Sequence, residues 1–217
     1  MTKVKERNQM TRGEERAHGY FMRMALSLAI RGGTAVSPNP KVGCVIVKDG
    51  QVVGWGYHKR YGGPHAEVEA LTMAGDRAQG ATAYVTLEPC SHHGKTPPCA
   101  PRLVEAGIRR VVYGMMDPNP KVNGRGLEIL ASGGVEVVGP VMEDRCRWEN
   151  RGFIRRMTLG RPWVTLKGAL SVDGTTCLEN GKSKWITGPL ARQKAHLLRA
   201  EHDAILVGIN TVINDDP

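Results

Sequence analysis

Thr86-Leu-Glu-Pro-Cys-Ser-His-His-Gly-Lys-Thr-Pro-Pro-Cys99, read with Pro64-His-Ala-Glu67 ahead of it, organises the whole chain. Zinc in a hydrolytic site takes three protein ligands and leaves one position for water, and an imidazole with two thiolates meets that count at neutral pH. His65, Cys90 and Cys99 are the candidate ligands. The hydrophobic pattern around them reads as helix over 65–74, strand over 81–87 and helix over 100–106.

Working outward, residues 1–13 are polar and charged without periodicity, and a disordered tail is expected there. From Glu14, a helical spacing of Ala17, Tyr20, Phe21, Met24 and Leu28 runs until Gly32-Gly33. Two β-rich runs, 42–47 and 51–57, flank Lys48-Asp-Gly50 and read as a hairpin. Strands at 109–113 and 135–138 then enclose a helix at 126–131. Short strands alternating with short helices after an opening hairpin predict an α/β three-layer sandwich over 14–150. Residues 144–157 read as basic and helical, Gly160-Arg-Pro162 breaks them, and 151–161 is assigned as a linker. Beyond it, strands are expected over 163–171 and 204–209, with a helix between them that Pro189 opens and that runs to Ala200. A strand, a helix and a strand do not close a core, so 162–217 is expected to be an incomplete second unit whose apolar edges favour self-association.

Composition narrows the class. With 41% hydrophobic and 24% charged residues in 217, the chain is a folded globular protein rather than a disordered one. Aromatic residues at 5% are too sparse for the stacking platforms of single-strand nucleic-acid binders. No apolar run approaches the ~20 residues that span a bilayer, so no membrane partner is expected. The five cysteines are an odd number and read as metal ligands or buried thiols of a cytoplasmic protein. A net charge of +9, spread over both parts, favours a phosphate-bearing small molecule over nucleic acid, whose binders concentrate charge in one patch.

Chemistry enters with Glu67. Two residues after His65 at the start of a helix, it faces the water rather than the ion, and can take a proton and pass it to a ring and a departing amine. H-x-E followed by Pro-Cys and a second Cys is the signature of zinc-dependent nucleobase deaminases. Most cytidine and tRNA-adenosine deaminases carry C-x-x-C, whereas eight residues separate Cys90 from Cys99. That insert, with Pro38-Asn-Pro-Lys-Val-Gly-Cys44, Asp117-Pro-Asn-Pro120 and Gly124-Arg-Gly126, resembles the pyrimidine deaminases of riboflavin biosynthesis. The resemblance runs from about Glu15 to the end of the chain. It implies a cytidine-deaminase-like sandwich and Zn2+-dependent hydrolytic deamination of 2,5-diamino-6-(5-phosphoribosylamino)pyrimidin-4(3H)-one, with Glu67 as proton shuttle and Asn39 as a substrate contact.

Alternatives stay open at this point. The base could be cytidine or tRNA adenosine, or zinc could be structural in a non-catalytic nucleic-acid-binding module. His92 or His93 could replace Cys99 as a ligand, or line the phosphate or ribose side. Lys95 and Arg125 are either phosphate contacts or surface charge; Cys44 reads as core, and Cys146 and Cys177 as bystanders.

After Arg161, Leu166-Lys-Gly-Ala-Leu-Ser-Val-Asp-Gly174, Ser183-Lys-Trp-Ile-Thr187, Leu197-Leu-Arg199 and the final run from Ala204 resemble the start of the reductase domain fused behind this deaminase in bifunctional members of the family. The resemblance implies a dihydrofolate-reductase-like α/β domain that uses NADPH to reduce ribosyl to ribityl. It also implies cofactor contacts at Ala169, Trp185, Thr211 and Asp215 and substrate contacts at Ser183 and Arg199. The later strands of such a domain are absent, so deamination without reduction is the expectation for these 217 residues.

Overall fold

A computed structural model describes residues 10–92, 96–119 and 122–215. The chain divides into two compact units, Met1–Trp163 and Val164–Pro217.

In the first unit, α1 (Arg12–Ile30) starts at a capping box in which the Thr11 Oγ1 accepts from Glu14 N–H and the Glu14 carboxylate accepts from Thr11 N–H. The cap satisfies first-turn donors and draws Arg12 and Gly13 into the helix, out of the expected tail; residues 1–9 of that tail lie outside the described residues. Strands β1 (Gly43–Lys48) and β2 (Gln51–Tyr57) form an antiparallel hairpin. Asp49 and Gly50, at φ 50° and 76°, make its turn, the pair of left-handed residues a two-residue hairpin favours. After α2 (Ala66–Ala74) come β3 (Thr82–Val85), α3 (Cys99–Glu105), β4 (Arg110–Tyr113), α4 (Arg125–Ser132) and β5 (Glu136–Val138), then α5 (Glu143–Glu149) and α6 (Arg151–Leu159).

The sheet order is β2-β1-β3-β4-β5, with β1 antiparallel to β3 and β3, β4 and β5 parallel. Strand alternation sends Cys44, Ile46, Ala83, Val85, Val111 and Tyr113 to one face, where they pack with α2, α3 and α4. Val45, Val47, Tyr84 and Val112 go to the other, where Met22, Ala25 and Leu26 of α1 and Cys146 of α5 cover them. The three-layer α/β/α sandwich is therefore as expected from the sequence. Small residues set how tightly it closes. A Cβ on Gly54 would stand 2.9 Å from the Ala74 Cβ of α2, so a glycine at this point of β2 is what lets that helix approach.

The second unit contains α7 (Pro189–Ala200) and α8 (Ile209–Asp215). The strands expected over 163–171 and 204–209 do not form: no strand occurs among the described residues of 164–215. Both runs have strand-like composition, but a strand exists only against a hydrogen-bonding edge, and these two do not pair with each other. No residue of 164–214 is buried, and Leu166, Leu206 and Leu190 are 97%, 99% and 82% exposed.

Candidate metal centre

The site forms beyond the carboxyl ends of β3 and β4, where parallel strands leave a crevice and helices present their N-termini. His65 is the N-cap of α2, Glu67 lies in that helix's first turn, and Cys99 opens α3. Cys90 lies on the loop after β3. The donor atoms of His65, Cys90 and Cys99 all lie within 4.8 Å of one another. His65 Nδ1 faces both sulfurs, 3.5 Å from Cys90 Sγ and 3.3 Å from Cys99 Sγ. Its Nε2 meets Thr96 Oγ1 at 3.1 Å, the outer hydrogen bond that orients a ligating imidazole. One nitrogen and two sulfurs converging from three elements suit zinc, and these residues fit it. His92 lines the same cavity but is not in this cluster; His93 and Lys95 lie outside the described residues.

Within the cluster the two thiols share one proton. Hydrogen bonding from Cys99, against the opposing effect of burial, holds the Cys90 thiol well below the usual thiol range, with His65 adding to the effect. Cys99, as the donor of that pair, is pushed up. Glu67 is only 4% exposed, and burial, followed by the Cys90 charge, raises its carboxyl to about 7. A carboxyl near that value can both accept and return a proton.

A cavity of about 320 Å³ opens over this cluster. Asn39 lines it and its Nδ2 donates to His58 Nε2 at 3.1 Å. His58 Nδ1–H in turn donates to Pro64 O at 2.9 Å, and burial lowers its pKa, so the neutral ring accepts on one nitrogen and donates on the other. The relay ties the Asn39 amide to the residue that precedes His65. Sequence offered no signal for His58, a lone histidine after β2.

Glu88, 2% exposed, is a second residue whose role the motif did not disclose. Its Oε2 accepts from Asp117 N–H at 3.2 Å and Gly124 N–H at 3.0 Å, and its Oε1 from Gly126 N–H at 3.0 Å. The carboxylate therefore holds the loop after β4, which supplies Asp117 and Asn119 to the cavity, against the loop that supplies Cys90. Asp117 is raised to about 6 by burial, against the hydrogen bond from Asn119 N–H and with the Glu88 charge adding to it. Gly126 permits the approach: a Cβ there would overlap the Pro89 carbonyl. Glu88→Ala leaves three backbone N–H groups, two buried and one part-buried, without an acceptor, and at ~1–3 kcal/mol for each such loss, partly recovered by water, we expect about 2–4 kcal/mol of destabilisation. Urea unfolding measures it.

A third contribution comes from α6, in the segment assigned as a linker: Phe153, Arg156 and Met157 line the cavity. The residues assigned to the second unit behave differently. Trp185 is 70% exposed, with the Arg192 guanidinium 4.2 Å from its ring centre. Ser183 and Arg199 are exposed, and Ala169 and Thr211 half-buried. With no residue of 164–214 buried, the described residues of this unit do not enclose a nicotinamide site.

Beside the sandwich and the N/S/S cluster with its buried carboxylate stands a matching family pattern: residues 15–115 match the cytidine and deoxycytidylate deaminase zinc-binding region, and 162–217 match the RibD C-terminal domain. The riboflavin biosynthesis protein RibD of Escherichia coli is 56% identical over 198 residues, covering 91% of this chain and 54% of that protein. Acinetobacter baumannii RibD superposes with a TM-score of 0.87 at 52% identity, over 94% of this chain and 57% of that one. A Thermotoga maritima diaminohydroxyphosphoribosylaminopyrimidine deaminase/5-amino-6-(5-phosphoribosylamino)uracil reductase gives 0.89 at 44% identity, over 94% and 59%. The chain belongs to the RibD family, and it spans about half the length of the curated relatives it matches. No described helix is long and apolar enough to cross a membrane.

Proposed function

We propose that the first unit hydrolytically deaminates 2,5-diamino-6-(5-phosphoribosylamino)pyrimidin-4(3H)-one in riboflavin biosynthesis. The observation that carries this reading is the convergence of His65, Cys90 and Cys99 on one point beside the buried Glu67, at the floor of a cavity of pyrimidine size. Bound zinc supplies a Lewis acid that makes water a nucleophile near neutral pH. Glu67 takes the proton of that water and returns protons to the ring and to the departing amine. Asn39, oriented by His58, meets the pyrimidine, and the sheet and α3 exclude bulk solvent behind the ligands. The second unit is assigned by resemblance to an NADPH-dependent reduction of ribosyl to ribityl, with Ala169, Trp185, Thr211 and Asp215 at the cofactor and Ser183 and Arg199 at the substrate. All five cysteines are free of disulfides, in keeping with a cytoplasmic enzyme, and the exposed apolar side chains of the second unit favour self-association.

The test is an ammonia assay on the zinc-loaded chain across a substrate panel, with NADPH absorbance followed in parallel. The expected result is one ammonia per phosphoribosylaminopyrimidine, none from cytidine, and no NADPH oxidation, because the described second unit encloses no nicotinamide site. Ammonia from cytidine alone would replace this reading with that of a deaminase for another base.

A further inference from the structure

Helix α6 closes the outer side of the cavity, and two sets of hydrogen bonds hold it to the loop that carries Asn39. Asn150, 3% exposed, accepts from Lys41 N–H at 2.8 Å through Oδ1 and donates to Lys41 O at 3.0 Å through Nδ2. Arg156 Nη2 donates to Pro38 O at 3.1 Å. The helix is thus fixed on both sides of Asn39, and the guanidinium is held at the cavity rim while remaining exposed. Among the described lining residues Arg156 is the only Lys or Arg, whereas Glu67, Glu88 and Asp117 place carboxyl groups along the inner part.

This charge arrangement has a direction. A phosphate monoester carries close to two negative charges, and the acidic inner part repels it. A guanidinium, permanently protonated and presenting five N–H donors in a plane, matches phosphate oxygens two at a time. The Pro38 carbonyl and the Met157 Sδ both engage Nη2, which leaves Nη1 and Nε of the fork to face a ligand. We propose that Arg156 is a cation that binds the 5′-phosphate of the substrate, so that the phosphate sits at the α6 rim and the ring enters toward Glu67. This rests on the reading of the site as one for a phosphoribosyl pyrimidine. It makes a helix from the inter-domain segment a determinant of substrate specificity.

The test compares the wild type, Arg156→Ala and Arg156→Lys, each as the full zinc-loaded chain, on the phosphorylated substrate and on its dephosphorylated counterpart. In Arg156→Ala, KM for the phosphorylated substrate rises about 10–100-fold, the loss of a bidentate charge-assisted pair. Its kcat stays within about twofold, as for binding made equally in ground and transition states. Its kcat/KM on the dephosphorylated substrate falls by several-fold at most, the cost of losing the Pro38 bond that both substrates share, and Arg156→Lys recovers part of the larger loss. Equal losses on both substrates would mean that Arg156 only packs α6 through Pro38 and would overturn the proposal, as would no loss on either. Ribose 5-phosphate titrated calorimetrically into the same proteins reads the contact without turnover. Binding at least about tenfold weaker in Arg156→Ala supports the assignment, and equal binding overturns it, even where absence of ammonia release had refuted the deaminase reading itself.

Discussion

Glu67→Ala lowers ammonia release by about a thousandfold or more while leaving the zinc content and the unfolding midpoint close to those of the parent. The size follows from the work this carboxylate does. General acid–base transfer contributes ~10²–10⁴-fold in enzymes, and in the proposed reaction one group serves both the water and the leaving amine. The retained zinc follows from geometry, since His65, Cys90 and Cys99 form the cluster without Glu67. Stability holds because removing a buried carboxyl relieves its own desolvation, the largest influence on its pKa, and offsets the small void left behind. Ammonia release and metal analysis on the same preparation make the check. A variant that loses zinc along with activity would show that the carboxylate builds the centre; one that keeps both would favour the structural-zinc, non-catalytic reading. Glu67→Gln, which retains shape and loses the proton chemistry, must fall as far as the alanine.

Legibility from sequence followed the range of the interactions. The hairpin was readable because Asp49-Gly50 is a local signal for its turn, and the three ligand candidates because thiols and an imidazole at those element ends have few other uses. Glu88 stood in plain view beside Pro89, yet its partners are backbone N–H groups 29, 36 and 38 positions later, and no side-chain pattern encodes them. The relay from Asn39 through His58 to Pro64 was hidden for the same reason. Helix α6 was readable as helix but not as cavity wall, because only the clamps at Pro38 and Lys41 say which way it lies. The second unit is the converse case. Its β-rich runs have the right composition, but strand formation depends on an edge that composition does not supply.

Cys99→Ala abolishes deamination altogether and lowers bound zinc from about one per chain toward zero, whereas His92→Ala keeps the metal. The contrast decides the ligand set. Cys99 Sγ stands 3.3 Å from His65 Nδ1 at the buried start of α3, while His92 lines the cavity outside the cluster. A zinc site with only an imidazole and one thiolate is left with too few protein ligands to hold the ion at neutral pH. Because the three candidate ligands come from the N-cap of α2, the loop after β3 and the start of α3, a zinc ion held there would join elements that the sheet alone leaves separate at this end. An ion bound only in the native state stabilises it by mass action, about 4 kcal/mol when free zinc stands a thousandfold above its dissociation constant. Chelation of the parent protein therefore lowers its thermal midpoint to near that of metal-free Cys99→Ala, and added zinc restores the parent but not the variant. Cys177→Ser, an exposed thiol far along the sequence from the cluster, retains zinc, midpoint and activity. Should Cys99→Ala keep its zinc while His92→Ala loses it, the histidine replaces the second thiolate and the site must be redrawn.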